Sequence, residues 1–127
     1  MKFPVKAPVA LEDGVYQGVI KRIEYREEPF HYTDIFIMPD GKEFEIKYGC
    51  PSGVSMNTKL GKLLGLFLGR ELKVGEELDP EIILLNKKCK IMVQNEKAKD
   101  GNEYARIVAD SLKPVKKEEE KMEKKEN

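Results

Sequence analysis

The stretch Ser55-Met56-Asn57-Thr58-Lys59-Leu60-Gly61-Lys62-Leu63-Leu64-Gly65-Leu66-Phe67-Leu68-Gly69 carries the one clear helical period in the chain. Leu60, Leu63, Leu64, Phe67 and Leu68 recur at i, i+3, i+4, i+7 and i+8, forming one apolar stripe with Lys59 and Lys62 off it. Ser55 or Asn57 suits the start as a cap, and Gly69 suits the left-handed position just past the end. Gly61 and Gly65 each cost roughly 1 kcal/mol relative to Ala in a helix interior, so this helix needs a surface to dock on. Their missing side chains predict close backbone contact along one flank.

The segments around the helix are strand-like, three before it and two after. Residues 14–25 form the first strand, with Val15, Val19 and Ile23 on one parity and Tyr16, Gly18 and Ile20 on the other. Gly18 marks a place for a bend or bulge. After a loop at 26–29, residues 30–38 form strand two. Pro39-Asp40-Gly41 then reads as a type I turn with Gly in the left-handed position. Strand three covers 43–48. A three-residue turn pairs Met38 with Lys42, sets Phe36 opposite Phe44 and Tyr32 opposite Tyr48, and leaves His31, Thr33, Ile35, Ile37, Glu43, Glu45 and Lys47 on the other face. A two-residue turn would set Asp34 against Glu45, which disfavours it.

Residues 49–55 form a loop, 70–79 are irregular and charged, and Pro80 opens a short helical turn through 82–85. Strand four covers 88–95, with Cys89, Ile91 and Val93 on one face and Lys88, Lys90, Met92 and Gln94 on the other. Residues 97–103 form a polar loop, 104–112 form strand five, and Pro114 closes the domain. The expected fold is all-β with one helix: a five-stranded OB-like β-barrel over residues 13–114, the helix filling the gap between strands three and four. Residues 1–12 are expected to be an extended N-terminal arm, and 115–127 a charged, disordered tail. Another small barrel or sandwich is the alternative.

At 127 residues the chain holds one domain with one core. Met1-Lys2-Phe3-Pro4 has no apolar run behind it, as a signal peptide would, and no stretch approaches the ~18 apolar residues of a membrane span. Cys50 and Cys89 lack metal-ligand spacing and read as buried thiols of a reducing compartment, with a disulfide as the alternative. Cytoplasmic location is the default expectation. Lys+Arg and Asp+Glu both number 23, so there is no overall basic field, and any polyanion would have to be held by local clustering.

The residues contain no enzyme constellation, and catalytic residues, cofactor and metal are all expected to be absent. His31 is the only histidine, which excludes an all-His zinc site. Cys50 lies several residues too early to be activated by the helix N-terminus. The glycines do not form a phosphate-binding pattern.

Gly14-x-Tyr16-x-Gly18-x-Ile20, Pro39-Asp40-Gly41, Leu60-x-Lys62-Leu63-Leu64, Lys88-x-Lys90-Ile91 and Gly101-x-x-Tyr104-x-Arg106-Ile107 follow one another in an order that resembles small OB-fold single-stranded-DNA-binding proteins of phages, bacteria and archaea. The resemblance covers about residues 11–114 as a scattered pattern of turns and apolar positions. It implies an accessory role in replication, recombination or repair. Many bacterial single-strand binders end in an acidic tip, whereas this chain ends Lys124-Lys125-Glu126-Asn127.

Single-strand binding requires aromatic faces for bases and cations for phosphates. In an OB fold the usual surface is the outer face of strands two and three with its flanking loops. Candidates for stacking are Tyr25, Phe30 and Tyr32. Candidates for phosphate contact are Arg26, Lys47, Lys97, Lys99 and Arg106, with Lys88 and Lys90 extending a basic strip. The expected partner is single-stranded DNA or RNA. In the opposing reading, Tyr32, Phe36, Phe44 and Tyr48 are the core face, and exposed Ile35 and Ile37 serve a protein partner or a second subunit.

Overall fold

The computed structural model describes residues 1–3 and 11–115. The expected arm at 4–10 and tail at 116–127 lie outside the described residues. Leu11 and Val115, assigned to arm and tail, are both buried.

The described chain runs β1 (Gly14–Arg26), β2 (Tyr32–Pro39), β3 (Ile46–Pro51), α1 (Lys59–Leu68), α2 (Pro80–Leu84), β4 (Lys88–Lys97), β5 (Glu103–Ile107) and β6 (Lys113–Pro114). The strands form one antiparallel sheet in the order β3-β2-β1-β4-β5, with β6 on β4. The strand count of five is therefore corrected to six: Val115 N–H donates to the Lys88 carbonyl just beyond the β6 pairing. Among the described residues no backbone ladder joins β3 to β5, although these edge strands approach one another.

The helix forms where its apolar stripe requires, and buries Leu60, Leu63 and Leu64. Its cap is Thr58, not Ser55 or Asn57: the Thr58 hydroxyl oxygen accepts from Gly61 N–H at 3.0 Å. Gly69 takes the left-handed conformation at φ 72°, and its N–H returns to the Gly65 carbonyl. Gly61 makes the close approach that its lack of a side chain suggests, lying against the Ser55 carbonyl.

The β2–β3 register departs from expectation. Pro39-Asp40-Gly41 does turn, with Gly41 at φ 77° and Lys42 N–H donating to the Pro39 carbonyl, but strand pairing resumes only at Ile37↔Ile46. Tyr32 therefore pairs with Pro51, Ile35 with Tyr48 and Phe36 with Lys47. This odd shift of three residues exchanges the faces. Ile35, Ile37, Ile46, Tyr48 and Cys50 enter the core, while Tyr32 and Phe36 lie half-buried outside. The isoleucine face proposed for a partner does not exist as a surface, because Ile35 and Ile37 are each 0% exposed.

A second parity switch lies in β1. Ile20 pairs with Ile37 and Arg22 with Phe36, so Lys21 is an extra, unpaired residue. The bulge brings Ile20 and Ile23 to the same inner side despite their odd spacing, and turns Arg22, Glu24 and Arg26 outward. Gly18 is not the bulge. It sits where a side chain would meet the Met38 carbonyl at 2.6 Å.

The irregular 70–79 segment is braced by an ion pair and hydrogen bond between Arg70 and Glu76, whose carboxylate also accepts from Lys73 N–H. The hydrogen bond from Arg70, reinforced by the Lys73 N–H, pulls the Glu76 carboxyl from 4.5 down to about 2. A folded-state pKa below the unfolded one contributes stability that is present above the unfolded value and lost as pH falls through the folded value. Acid titration of stability should thus show a Glu76 component fading between pH 4.5 and about 2. Glu76→Gln should abolish that component, lowering stability above pH 6 and converging with wild type as the pH falls toward about 2, as read by urea midpoints at each pH.

Candidate functional site

The outer face of β1–β2–β3 is built from three cross-strand rows: Arg22–Phe36–Lys47, Glu24–Asp34–Gly49 and Arg26–Tyr32–Pro51. At the centre, Asp34 is 2% exposed. Arg26 grips it with Nε at 2.5 Å from one carboxylate oxygen and an amino group at 3.1 Å from the other. That pairing raises the Arg26 pKa above its ordinary value. Gly49 opposite leaves room for the carboxylate, since a side chain there would meet Asp34 Oδ1 at 3.1 Å.

Each outward ring of β2 carries an arginine of β1. The Arg22 guanidinium lies 3.8 Å from the Phe36 ring centre, and Arg26 lies 5.0 Å from that of Tyr32. Arg22 also donates to Glu45 at 3.0 Å and pairs with Glu24. These rings are thus covered on one side by cations, themselves planar surfaces on which a base can stack.

Between β3 and β5 lies a cleft of about 590 Å³. Its lining includes the aromatics Tyr32, Phe44, Tyr48 and Tyr104, the cations Arg26, Lys47, Lys59 and Arg106, and one carboxylate, Glu45. Its members arrive from distant parts of the chain. Lys59 starts α1 and reaches back, its Nζ donating to the Gly49 carbonyl at 2.9 Å and standing 4.3 Å from the Tyr48 ring centre. Tyr104 and Arg106 alternate with half-buried Ala105 and Ile107 on β5 and so share its outer side. The Tyr104 hydroxyl donates to Asp100 at 2.7 Å, which fixes the ring and lowers the Asp100 carboxyl. Arg106 pairs with Glu96 at 3.0 Å. Lys47 has no carboxylate partner among the described residues and is the cation most available to a ligand.

Of the residues expected to bind, the cleft brings together Arg26, Tyr32, Lys47 and Arg106. Tyr25 does not join them. The bulge places it on the parity of Ile23, opposite Thr33, near Asp79 and Glu81 at α2, where burial raises its phenol pKa. Phe30 lies exposed in the β1–β2 loop, outside the cleft lining. Lys88 and Lys90 face outward from β4 opposite Val19 and Gln17, on a different part of the sheet. Lys97 ends β4 and Lys99 lies in the following loop, neither among the lining residues. Tyr104, Phe44 and Lys59 were missed. Parity with Arg106 was a usable signal for Tyr104, but the other two depended on the register.

No protein-family model matches this chain, and no curated protein matches it.

The two thiols are buried and unpaired. Burial pushes Cys50 up to about 11, against the opposing pull of Lys59, and Cys89 up to about 12. Neither is a thiolate near neutral pH, which removes the ionised form that nucleophilic chemistry needs. Among the described residues no cluster of three or more His, Cys, Asp or Glu is arranged to hold a metal. Among the described residues no helix is long and apolar enough to cross a membrane.

Proposed function

We propose that this chain is a non-enzymatic binder of single-stranded nucleic acid, DNA foremost, acting as an accessory in replication, recombination or repair, and that its sheet is an OB-like barrel left open along the β3–β5 seam. The observation that carries this reading is the cleft itself. It combines four aromatics with four cations and one carboxylate in a chain whose overall charge is zero. That pairing of flat apolar faces with a local excess of positive charge is what bases and phosphates need together. The strand order supports the barrel reading, because it leaves β3 and β5 as the two edges flanking the cleft. Lys47 and Lys59 contact phosphates, Tyr104 and Tyr32 stack bases, and Arg26, held by Asp34, offers its guanidinium plane.

The test is fluorescence anisotropy of a labelled mixed-sequence DNA single strand at several salt concentrations, with duplex and RNA as competitors. Saturable binding that favours single strands and weakens with salt is expected. Lys47→Ala should flatten the salt dependence by about 0.7 in slope, one phosphate contact on a single strand. Tyr104→Ala should lower affinity by about fivefold to a hundredfold, the loss of one stacked base at ~1–3 kcal/mol. Absence of binding at low salt overturns the proposal.

A further inference from the structure

A second hollow, about 610 Å³, runs along α1. It shares Tyr48 and Lys59 with the β3–β5 cleft, so the two hollows adjoin at these side chains. Its floor is apolar, with Leu63 from the helix stripe and Leu66, which is 51% exposed. Lys62, Arg70, Glu71 and Asp110 are its other charged lining residues beside Lys59. Arg70 is engaged by Glu76, whereas Lys62 has no carboxylate partner among the described residues. Leu66 lies four residues from Lys62, so the two share one side of the helix, and Arg70, four residues further on, follows just past the helix end.

Resting on the single-strand reading above, we propose that the bound strand does not end in the β3–β5 cleft but crosses Lys59 onto α1, where Lys62 takes a phosphate and Leu66 supports a base. Two arguments select this occupant. The hollow adjoins the first cleft at Tyr48 and Lys59, and Lys59 and Lys62, neither of which has a carboxylate partner among the described residues, follow one another along the path. Gly65 and Gly69 line this stretch without side chains and keep the helix surface low enough for a nucleotide to lie against it.

The experiment titrates the full chain with labelled deoxythymidine strands across the ~4–16 nucleotide range of such sites. Wild-type affinity should climb with length and level off at a longer strand than in Lys62→Glu or Leu66→Ser. Lys62 is exposed and Leu66 half-exposed, so both variants should stay folded, Lys62→Glu with the wild-type melting temperature and Leu66→Ser slightly below it. For the longest strand each should lose about five- to tenfold in affinity, and for the shortest nothing. Lys47→Ala, in the first cleft, should weaken short and long strands alike. Equal length dependence in wild type, Lys62→Glu and Leu66→Ser, with Lys47→Ala still harmful, overturns the α1 path and leaves the cleft in place. If no strand of any length binds, the proposed function itself is overturned, and the path falls with it.

Discussion

Gly61→Ala should be among the most damaging single-methyl additions this protein can receive, costing about 3 kcal/mol, while the same change at Gly65 should be close to neutral. A helix interior ordinarily gains roughly 1 kcal/mol from Gly→Ala. At Gly61 the added carbon would lie 1.7 Å from the Ser55 carbonyl oxygen and 2.8 Å from the Thr58 hydroxyl oxygen. Both neighbours belong to the cap. The Ser55 carbonyl accepts from the Thr58 hydroxyl, and Thr58 accepts from the Gly61 N–H. Relieving the clash moves backbone and breaks the cap, so overpacking of about 1–3 kcal/mol and cap loss of about 1 kcal/mol combine against the propensity gain. At Gly65 the nearest atom outside the helix backbone is the Arg70 carbonyl oxygen at 3.3 Å, which a small adjustment accommodates. Urea denaturation of the two variants decides the matter. Equal stabilities would show that Gly61 is not held against the 55–58 loop.

The second large effect is expected at the centre of the outer face. Arg26→Ala strands the Asp34 carboxylate at 2% exposure, with its two guanidinium bonds gone. A carboxylate left enclosed without its counter-ion destabilises by about 3–5 kcal/mol, and the open side of this sheet puts Asp34 at the low end. Asp34→Ala should cost much less, because Arg26 can turn to water. The double variant should be more stable than Arg26→Ala alone, a sign reversal that only a coupled pair produces. Thermal melts of all four proteins form the cycle. Additive losses would mean that Arg26 is not what makes burial of Asp34 tolerable.

Much of this architecture was readable before any coordinates. The stripe from Leu60 to Leu68 specified the helix, the turn at Pro39-Asp40-Gly41 occurs, and Cys89, Ile91 and Val93 point inward as their alternation requires. What failed was parity. Residues 30–38 carry large apolar groups on both faces, aromatics on one and isoleucines on the other, so alternation alone cannot say which is inside. The answer depends on tertiary partners: Arg22 and Arg26, four residues apart on β1, cover Phe36 and Tyr32, and a covered aromatic can stay out of the core. The longer 40–45 connection then supplied an odd shift that a short-turn reading excludes. Candidate site residues chosen by type and loop position, such as Phe30, Lys97 and Lys99, had no such check. Of those that converge on the cleft, Arg26, Tyr32 and Lys47 do so through the β1 bulge and the β2–β3 register the sequence concealed, and Arg106 through the alternation of β5.

The strand that carries the bulge also divides the assembly of the molecule in time. From Gly18 onward β1 pairs with β2 across one short loop, whereas its first six residues pair with β4, which the chain reaches only after both helices. Asn95 completes that second union by binding Leu11 and Asp13, 84 and 82 residues away. Contacts between remote segments form late, because the entropy of closing the long loop is lost before they can reward it. One half of β1 is therefore early hairpin and the other half late clasp. During synthesis residues 14–19 stay without their β4 partners until residues 88–93 emerge, and the speed with which β4 finds β1 sets how long the young core stands open.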